Sequence, residues 1–428
     1  MPLNIIVVGA GIGGLACAIS LTRQGHHVEL FEQSTFLNEI GAAIHLPPNG
    51  SRVLKGWGCD FDDLNYVYCN SITTYDKSGN FRFVAIATKD MHQKLNIRDE
   101  WLLTHRVDLH STLRKLADTE PYGQNLNINL HSRVLTMLST HRIPKMPNLL
   151  LEDGTRYRAD LLIGADGVHS KVVSAVTLEQ PKRKSTGQNT FRFLVSMDKI
   201  NASPLARPFF EDLGLDDQHV FLGADRRLVV YPCRSKTLLN VVAIHPAEND
   251  SLETESSWLS GGNMEDLLHT YRDFGPELIE MCRLGEDLKL LSLATREPPK
   301  TFYRGKTVLV GDAAHPMLPH QGQGGAQALE DGAALGALLP YDTLSSQVNR
   351  RLQLFNKVRY ARTITVMVMS STSDDRRAEK MPELQRYVPD ARLPKNMFEY
   401  TWSSYATLEA RRALEEDLGA SFGPSARL

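Results

Sequence analysis

The sequence predicts an α/β chain built on a nucleotide-binding βαβ unit, with a β-sheet domain inserted into it and a helical region at its end. Three observations predict this. An apolar run from Leu3 to Val8 stops at glycines and leads into helix-like and then strand-like runs; the runs between Gln188 and Pro246 are short and β-rich; and residues 346–428 read as helices. With 428 residues, 42 % of them hydrophobic, the chain is long enough for two domains with cores of their own.

The elements follow in order. Leu3–Val8 is a strand, Ile12–Arg23 a helix, and His27–Phe31 a second strand after Gly25. Asp153-Gly154 marks a turn between strands at Leu149–Glu152 and Tyr157–Ile163, the latter running into Gly164-Ala165-Asp166-Gly167. Thr190–Val195, His219–Leu222, Leu228–Tyr231 and Leu238–Ile244 are strands of the inserted sheet, without comparable helical periodicity between them. Helices are expected at Met264–Tyr271 and Pro276–Leu284, a strand at Thr307–Val310, and a helix at Gly325–Leu339. The nucleotide domain is thus expected to be discontinuous, from residues 1–70, 101–180 and 285–345, with 71–100 and 181–284 forming the sheet domain. Breaks near Pro382, Pro389 and Pro394 divide the C-terminal helices, and the charge runs Lys182-Arg183-Lys184 and Asp374 to Lys380 read as solvated surface.

Composition excludes several classes of function. Lys+Arg 48 against Asp+Glu 50 leaves a formal charge of −2, which attracts neither a nucleic-acid backbone nor an anionic membrane. Cys17, Cys59, Cys69, Cys233 and Cys282 include no C-x-x-C pair, which argues against a disulfide framework and a zinc site, and no metal is expected. No apolar run approaches the ~18 residues of a membrane span, and a strand beginning at Leu3 leaves no room for a signal peptide. A cytoplasmic protein, monomer or homodimer, is expected. Ala426-Arg427-Leu428 has the small-basic-Leu form of a peroxisomal address, the alternative being a tail that ends this way by chance.

Gly9-Ala10-Gly11-Ile12-Gly13-Gly14 is G-x-G-x-x-G between a strand and a helix. Gly9 permits the tight turn, Gly11 lets a pyrophosphate approach the backbone, and Gly14 lets helix and strand pack closely, while the helix start offers free N–H groups to phosphate. Glu32 ends the second strand, where its carboxylate accepts from a ribose hydroxyl. Together these define a Rossmann-like dinucleotide site.

Two distant motifs indicate which dinucleotide: DLLIGADGVHS at Asp160–Ser170 and GKTVLVGDAAHPMLPHQGQGGAQALE at Gly305–Glu330. With the first, they make the chain resemble the single-component FAD-dependent aromatic hydroxylases, the family of salicylate hydroxylase, 6-hydroxynicotinate 3-monooxygenase and para-hydroxybenzoate hydroxylase, over about residues 3 to 340. The resemblance implies a para-hydroxybenzoate hydroxylase-like fold, FAD as cofactor and NADH or NADPH as co-substrate. It places Asp312 on the ribityl chain with Gly311 allowing close approach, and Pro319, Gly322, Gly324 and Gly325 beside the flavin ring. Asp166 and Gly167 would serve FAD and NAD(P)H, and Arg106 the pyrophosphate, unless Arg106 is simply a surface helix start. Lys171 stands where the family usually has Arg, and Val172-Val173-Ser174 replaces a further common Arg, which leaves the grip on NAD(P)H open.

Three residues are candidates to meet substrate. His45, the polar exception in GAAIHLPPN (Gly41 to Asn49), is placed by the resemblance beside the flavin ring, where a histidine takes a proton from a substrate hydroxyl; a satisfied core histidine is the alternative. Tyr231 in LVVYPCR matches the family's Tyr-Pro strand and is either a substrate hydrogen-bond partner or a core tyrosine. Arg192 in TFRFL is suited to a carboxylate or phenolate, and equally to a flavin phosphate or a structural acid. His315 and His320 lack metal-type neighbours and read as flavin-loop residues. The resemblance implies that NAD(P)H and O₂ are used, through a flavin C4a-hydroperoxide, to hydroxylate a phenolic or hydroxy-heteroaromatic ring. Oxidation of an indole or polyketide metabolite on the same flavin, and a non-hydroxylating NAD(P)H oxidase or redox-sensing partner protein, are the other readings.

Overall fold

The computed structural model describes residues 1–35, 42–119, 121–137, 146–247, 261–372 and 374–422; Gly41 and Ala426-Arg427-Leu428 lie outside the described residues. A six-stranded sheet organises the nucleotide-binding part. Its order is Tyr303–Arg304, Thr307–Leu309, Leu161–Gly164, Asn4–Val8, His27–Phe31, Leu126–Asn129, parallel throughout except for the short first strand. A sheet buried on both faces needs nearly continuous apolar strands, and Ile5, Val7, Leu161, Ile163, Val308 and Leu309 supply them.

Helix Ile12–Thr22 follows the first strand and packs on helix Gly324–Leu338. Their approach is closer than side chains permit elsewhere. A Cβ on Gly332 would lie 2.6 Å from the Ala16 carbonyl carbon, and one on Gly336 would lie 2.7 Å from Ser20 Cβ. Both helices are mostly apolar, which suits their burial on more than one side.

The inserted sheet has seven strands in the order Glu286–Arg296, Arg183–Ser196, Leu238–Pro246, Arg227–Cys233, Gln218–Leu222, Ser71–Asp76, Phe81–Ala87. Phe191, Phe193, Phe221, Leu228, Val230 and Val241 form its core with Phe210, Leu267, Leu278 and Met281 from three helices. Because side chains alternate along a strand, the residues between them turn to the opposite face. Arg192, Tyr231 and Arg227 are on that face.

A third, antiparallel sheet of Ala43–Leu46, Leu102–His105 and Val67–Tyr68 connects the two larger ones and carries His45. The C-terminal helices Val348–Met369 and Ala406–Phe422 pack on Gly324–Leu338, with the short helices Met381–Gln385 and Met397–Trp402 between them. Pro382 sits within the first turn of its helix, where a missing N–H costs nothing. Among the described residues no helix is long and apolar enough to cross a membrane.

The structure corrects several element assignments. Tyr157–Ile163 is two strands: Arg156–Arg158 pairs with Asn148–Leu150 around Asp153-Gly154, and the chain then bends so that Leu161–Gly164 enters the central sheet. Asp160 secures the bend, its N–H donating to the Asn4 carbonyl and its carboxylate accepting from Asn4 N–H. Helices Met197–Ala202 and Ala206–Leu213 lie in the stretch read as β-rich without comparable helical periodicity, the first capped by Ser196 Oγ accepting from Asp198 N–H. Strand Glu286–Arg296 falls in the segment assigned to the nucleotide domain yet pairs with Arg183–Ser196. Arg377, in a charge run read as solvated, is buried.

Candidate active site

The glycine-rich turn is shaped as its spacing requires. Gly9 has φ +94°, and a Cβ there would lie 2.5 Å from the Ala165 carbonyl oxygen. One on Gly14 would lie 1.9 Å from the Gly9 oxygen, so the helix start touches the strand end directly, whereas one on Gly11 would meet nothing within 4 Å. Glu32 closes the turn: its two carboxylate oxygens accept from Ala10 N–H and Ser34 N–H, each at 2.8 Å. His110 Nε2 meets the Ala10 carbonyl at 2.7 Å from the start of helix Arg106–Ala117, whose first residue donates its backbone N–H to Ala42. Arg106 lies within electrostatic reach of both Asp312 and Arg192.

Asp166 is used differently from the expectation that it serves ligands. Its carboxylate accepts from Ser170 Oγ (2.6 Å), Lys171 N–H (2.6 Å) and Val172 N–H (3.2 Å), which ties the turn into helix Val173–Thr177. Burial raises its pKa despite these bonds. The open side of the turn is at Gly167, φ +73°, where a Cβ would meet nothing within 4 Å.

Gly311, φ +55°, begins the second ligand-facing turn. Its N–H donates to Asp331 Oδ2 at 3.0 Å, and Arg296 donates to the carbonyls of Asp312 and Ala313. Held by its backbone on both sides, Asp312 has a carboxylate that makes no hydrogen bond among the described residues. The side chain is open to solvent while surrounding protein raises its pKa, a combination that belongs to the wall of a cleft.

Beneath this turn lies a buried polar network that sequence reasoning missed. Asp331 also accepts from His315 Nε2 (2.6 Å) and Arg359 Nε (2.8 Å); Arg359 donates further to Glu330 (2.8 Å) and to the Gln327 side chain (2.9 Å). Arg362 and Asn49 complete the shell of Glu330, and Asn49 joins it to Gln323 at the start of helix Gly324–Leu338. The available signal was the acidic pair Glu330-Asp331 within a helix whose other residues are mainly apolar or small. Its partners come from two other helices and from the turn that holds Gly311 and His315, and no sequence pattern names them.

On the other side of the cleft the peptide of Ala43 is clamped by the inserted sheet. Tyr231 Oη (3.0 Å) and Arg192 Nη2 (3.4 Å) donate to its carbonyl, and Asn240 Oδ1 accepts from its N–H (3.0 Å). Two residues on, His45 Nδ1 accepts from the indole N–H of Trp101 at 3.2 Å, and its ring meets Tyr231 edge-on at 4.6 Å. Burial lowers the His45 pKa to about 4, opposed by a hydrogen bond with Gln218. The Tyr231 phenol is pushed up by burial, opposed by Arg192. Neither is poised as a base: the histidine lone pair at Nδ1 is taken, and the tyrosine proton is committed to a carbonyl. Among the described residues nothing accepts from the enclosed Nε of Arg192.

The loop from Pro319 closes against the His45 strand. Pro319–Gln321 is a single tight turn ending at Gly322, φ +60°, where a Cβ would lie 2.9 Å from His45 Cβ. One on Gly325 would lie 2.9 Å from Ile44 Cδ1, while one on Gly324 would meet nothing within 4 Å. The cleft is therefore bounded by the glycine-rich turn, the Asp312 turn, this loop and the Arg192–Tyr231 face.

These features fit FAD. An open backbone at Gly11 before a helix start suits a pyrophosphate, and the unbonded Asp312 carboxylate suits a row of hydroxyls. Over residues 3–366 the chain matches the FAD binding domain family and belongs to it. It is 34 % identical over 418 residues to FAD-dependent monooxygenase cfoG of Aspergillus candidus, spanning 96 % of this chain and 94 % of that one. It is also 34 % identical over 370 residues to hispidin-3-hydroxylase of Neonothopanus nambi, spanning 83 % and 85 %. The fold is that of the salicylate hydroxylase substrate complex, at a TM-score of 0.76 with 21 % identity, over 96 % of this chain and 98 % of the other. The chain is a flavoprotein monooxygenase with FAD as its cofactor.

Proposed function

We propose that this enzyme hydroxylates a phenolic or hydroxy-heteroaromatic ring at the expense of NADH or NADPH and O₂. The observation that carries the reading is the polar cluster on the sheet face: Arg192 and Tyr231 donate to the Ala43 carbonyl, and the His45 ring packs edge-on against Tyr231. The similarity to hispidin-3-hydroxylase supports an oxygenated ring as substrate.

Bound FAD supplies electron transfer from the nicotinamide and oxygen activation. The residues of the chain do the rest. Gly9, Gly11, Gly14 and Glu32 hold the adenosine end, Arg106 the pyrophosphate, and Gly311-Asp312 the ribityl chain, while Gly167 lines the approach and Asp166 braces it. Pro319, Gly322, Gly324 and Gly325 lie along the ring, where the start of helix Gly324–Leu338 favours negative charge. Arg192 stabilises a ring oxygen as an anion, which raises the electron density of the carbon to be oxygenated. His45, neutral at physiological pH with Nδ1 occupied by Trp101 and a further hydrogen bond with Gln218, is a fixed neutral group beside that oxygen, and Tyr231 fixes the strand that carries His45. The apolar walls keep water from the reacting carbon.

Ala426-Arg427-Leu428 is proposed as a peroxisomal address, which a fluorescent fusion ending in these residues tests against one ending in Ala-Ala-Leu. The catalytic reading is tested by supplying NAD(P)H with phenols, hydroxybenzoates and hydroxypyridines. Hydroxylated product in step with NAD(P)H consumption, with little peroxide, is expected; peroxide formation independent of any ring compound refutes it and favours an oxidase.

A further inference from the structure

The short helix Met397–Trp402 lies beyond residues 3–366, which match the FAD binding domain family, yet it is fastened to both sides of the cleft. On one side Arg362 donates to the carbonyls of Tyr400 at 2.7 Å and Thr401 at 2.8 Å. The same guanidinium reaches Glu330, in the network that holds the Gly311 turn through Arg359 and Asp331. On the other side the fully buried Trp402 meets the Trp101 ring edge-on at 5.2 Å, and Phe398 lies 5.8 Å from Trp101 and 5.7 Å from Trp402. Trp101 in turn donates its indole N–H to His45 Nδ1 at 3.2 Å. Arg52 completes the fastening, donating to the carbonyls of Trp402 and Ser404 while paired with Asp99.

These contacts decide where one donor points. The Trp101 backbone is held, because its carbonyl accepts from Cys69 N–H at 2.9 Å. The direction of its indole N–H then depends on what packs against the ring, and Trp402 and Phe398 supply that packing. An indole donates and cannot accept, so Trp101 turned to His45 meets an unprotonated Nδ1 and leaves the ring proton on Nε2. Around the same imidazole stand Tyr231, edge-on at 4.6 Å, and Gln218, by a hydrogen bond; Arg192 donates to the Ala43 carbonyl two residues back. Gly322 closes the loop side, at the end of the turn whose His320 is bonded to Arg227. Among the described residues nothing accepts from the Trp402 indole N–H, so this ring acts through its shape and not through a hydrogen bond.

We propose that Trp402 is a positioning residue of the active site: packed with Phe398 on Trp101, it aims the indole N–H at His45 and so holds that histidine in one orientation with its proton on Nε2. The C-terminal helix is then part of the frame of the substrate pocket. This rests on the reading of His45 as a fixed neutral group beside the substrate oxygen, and adds what fixes it.

The test uses the FAD-loaded enzyme, isotopically labelled at the histidine ring nitrogens, whose magnetic resonance signals report tautomer and titration. The His45 signals are identified by their loss in His45→Gln. Near neutral pH the parent His45 is expected to be unprotonated at Nδ1 and protonated at Nε2. Trp101→Phe, which keeps a ring and removes the donor, is expected to raise the pH at which His45 titrates by about 0.5 to 1 unit, the scale of one hydrogen bond lost by the neutral form. Trp402→Leu leaves the Trp101 N–H in place, yet it is expected to move the same signals in the same direction, and Trp402→Phe to restore the parent pattern at least in part. Phe398→Leu, which takes the other ring from Trp101, carries the expectation of Trp402→Leu should that variant fail to retain FAD. In Trp101→Phe and Trp402→Leu, product formed per NAD(P)H consumed is expected to fall. A parent His45 protonated at Nδ1, a Trp402→Leu that lowers the urea midpoint but leaves the tautomer and titration of His45 as in the parent, or equal displacement by Trp402→Leu and Trp402→Phe would each overturn the assignment. His45 signals displaced in Trp402→Leu with hydroxylation still coupled to NAD(P)H would uphold the positioning and count against the place of His45 in the reaction alone.

Discussion

Replacing Asp331 by Asn tests whether the buried network beneath the Asp312 turn supports cofactor binding. The carboxylate accepts three hydrogen bonds, from Gly311 N–H, His315 Nε2 and Arg359 Nε, and all three partners approach as donors. Against the cost of its burial, His315, then the Arg359 cation and the Gly311 N–H, lower the Asp331 pKa. An amide of the same shape has one accepting oxygen and one donating nitrogen, so either orientation sets a donor against a donor. Removing one partner of a buried ion pair costs about 3–5 kcal/mol. Arg359 retains Glu330 at 2.8 Å, which places Asp331→Asn near the lower end, at about 3 kcal/mol. The assay is paired: urea unfolding of the holoenzyme, and the dissociation constant of FAD measured by fluorescence on reconstitution. A lower urea midpoint with FAD bound roughly tenfold or more weakly is expected, because Gly311 loses its anchor and Asp312 its fixed backbone. Destabilisation below about 1 kcal/mol with unchanged FAD affinity refutes the reasoning and leaves the network a fold element unrelated to the cofactor.

Three further outcomes follow from the same coordinates. Gly14→Ala places a Cβ 1.9 Å from the Gly9 oxygen, so the turn must open; the variant is expected to purify without FAD while keeping its far-ultraviolet circular dichroism. His45→Ala and Tyr231→Phe are expected to retain FAD and to lose hydroxylation more than NAD(P)H oxidation, which product and NAD(P)H measured in parallel will show; loss of FAD would mark the residue as structural. Burial holds His45 and His320 at about 4, below the ordinary 6.5, so the unfolded chain takes up protons that the folded one refuses. Their contribution to stability is complete above about pH 6.5 and is lost as pH falls towards 4, so the urea midpoint is expected to fall from about pH 7 to pH 5 and His320→Gln to reduce that slope.

Those parts of the fold that rest on local chemistry were legible in the sequence. Gly9, Gly11, Gly14 and Glu32 stand at one continuous strand–turn–helix–strand unit, and the structure gives each the position its spacing implied. Motifs whose partners are remote were only half legible. Asp312 could be found, but Arg296, Asp331 and Arg359, which hold its turn, come from a strand and two helices that no spacing relates. The same limit hid Trp101, whose indole N–H decides which nitrogen of His45 carries the proton. The break of Tyr157–Ile163 escaped because Tyr157, Ala159, Leu161 and Ile163 keep a strand-like alternation through it; the bend is set by Asp160 pairing with Asn4, far back in the chain.

The reading of His45 as a neutral group of fixed orientation follows from an energy comparison. A phenol with an ordinary pKa of about 10 gives its proton to a group of pKa about 4 only at a cost of roughly 8 kcal/mol, and it gains nothing from a tyrosine whose own proton is held more tightly still. A cation next to the ring oxygen changes the balance from the other side, by stabilising the anion itself. Arg192 is on the face where such an oxygen would rest, and among the described residues no carboxylate pairs with it. A ring that arrives ionised needs no base, and the histidine is then free to be what its surroundings make it, a neutral group with fixed orientation. Arg192→Met therefore carries a sharper expectation than His45→Ala: it is expected to raise the pH at which bound phenol ionises, read from the ultraviolet spectrum of the enzyme-bound ligand, whereas His45→Ala leaves that pH in place. An unchanged ionisation pH in Arg192→Met, with a shift in His45→Ala, would return the base to His45.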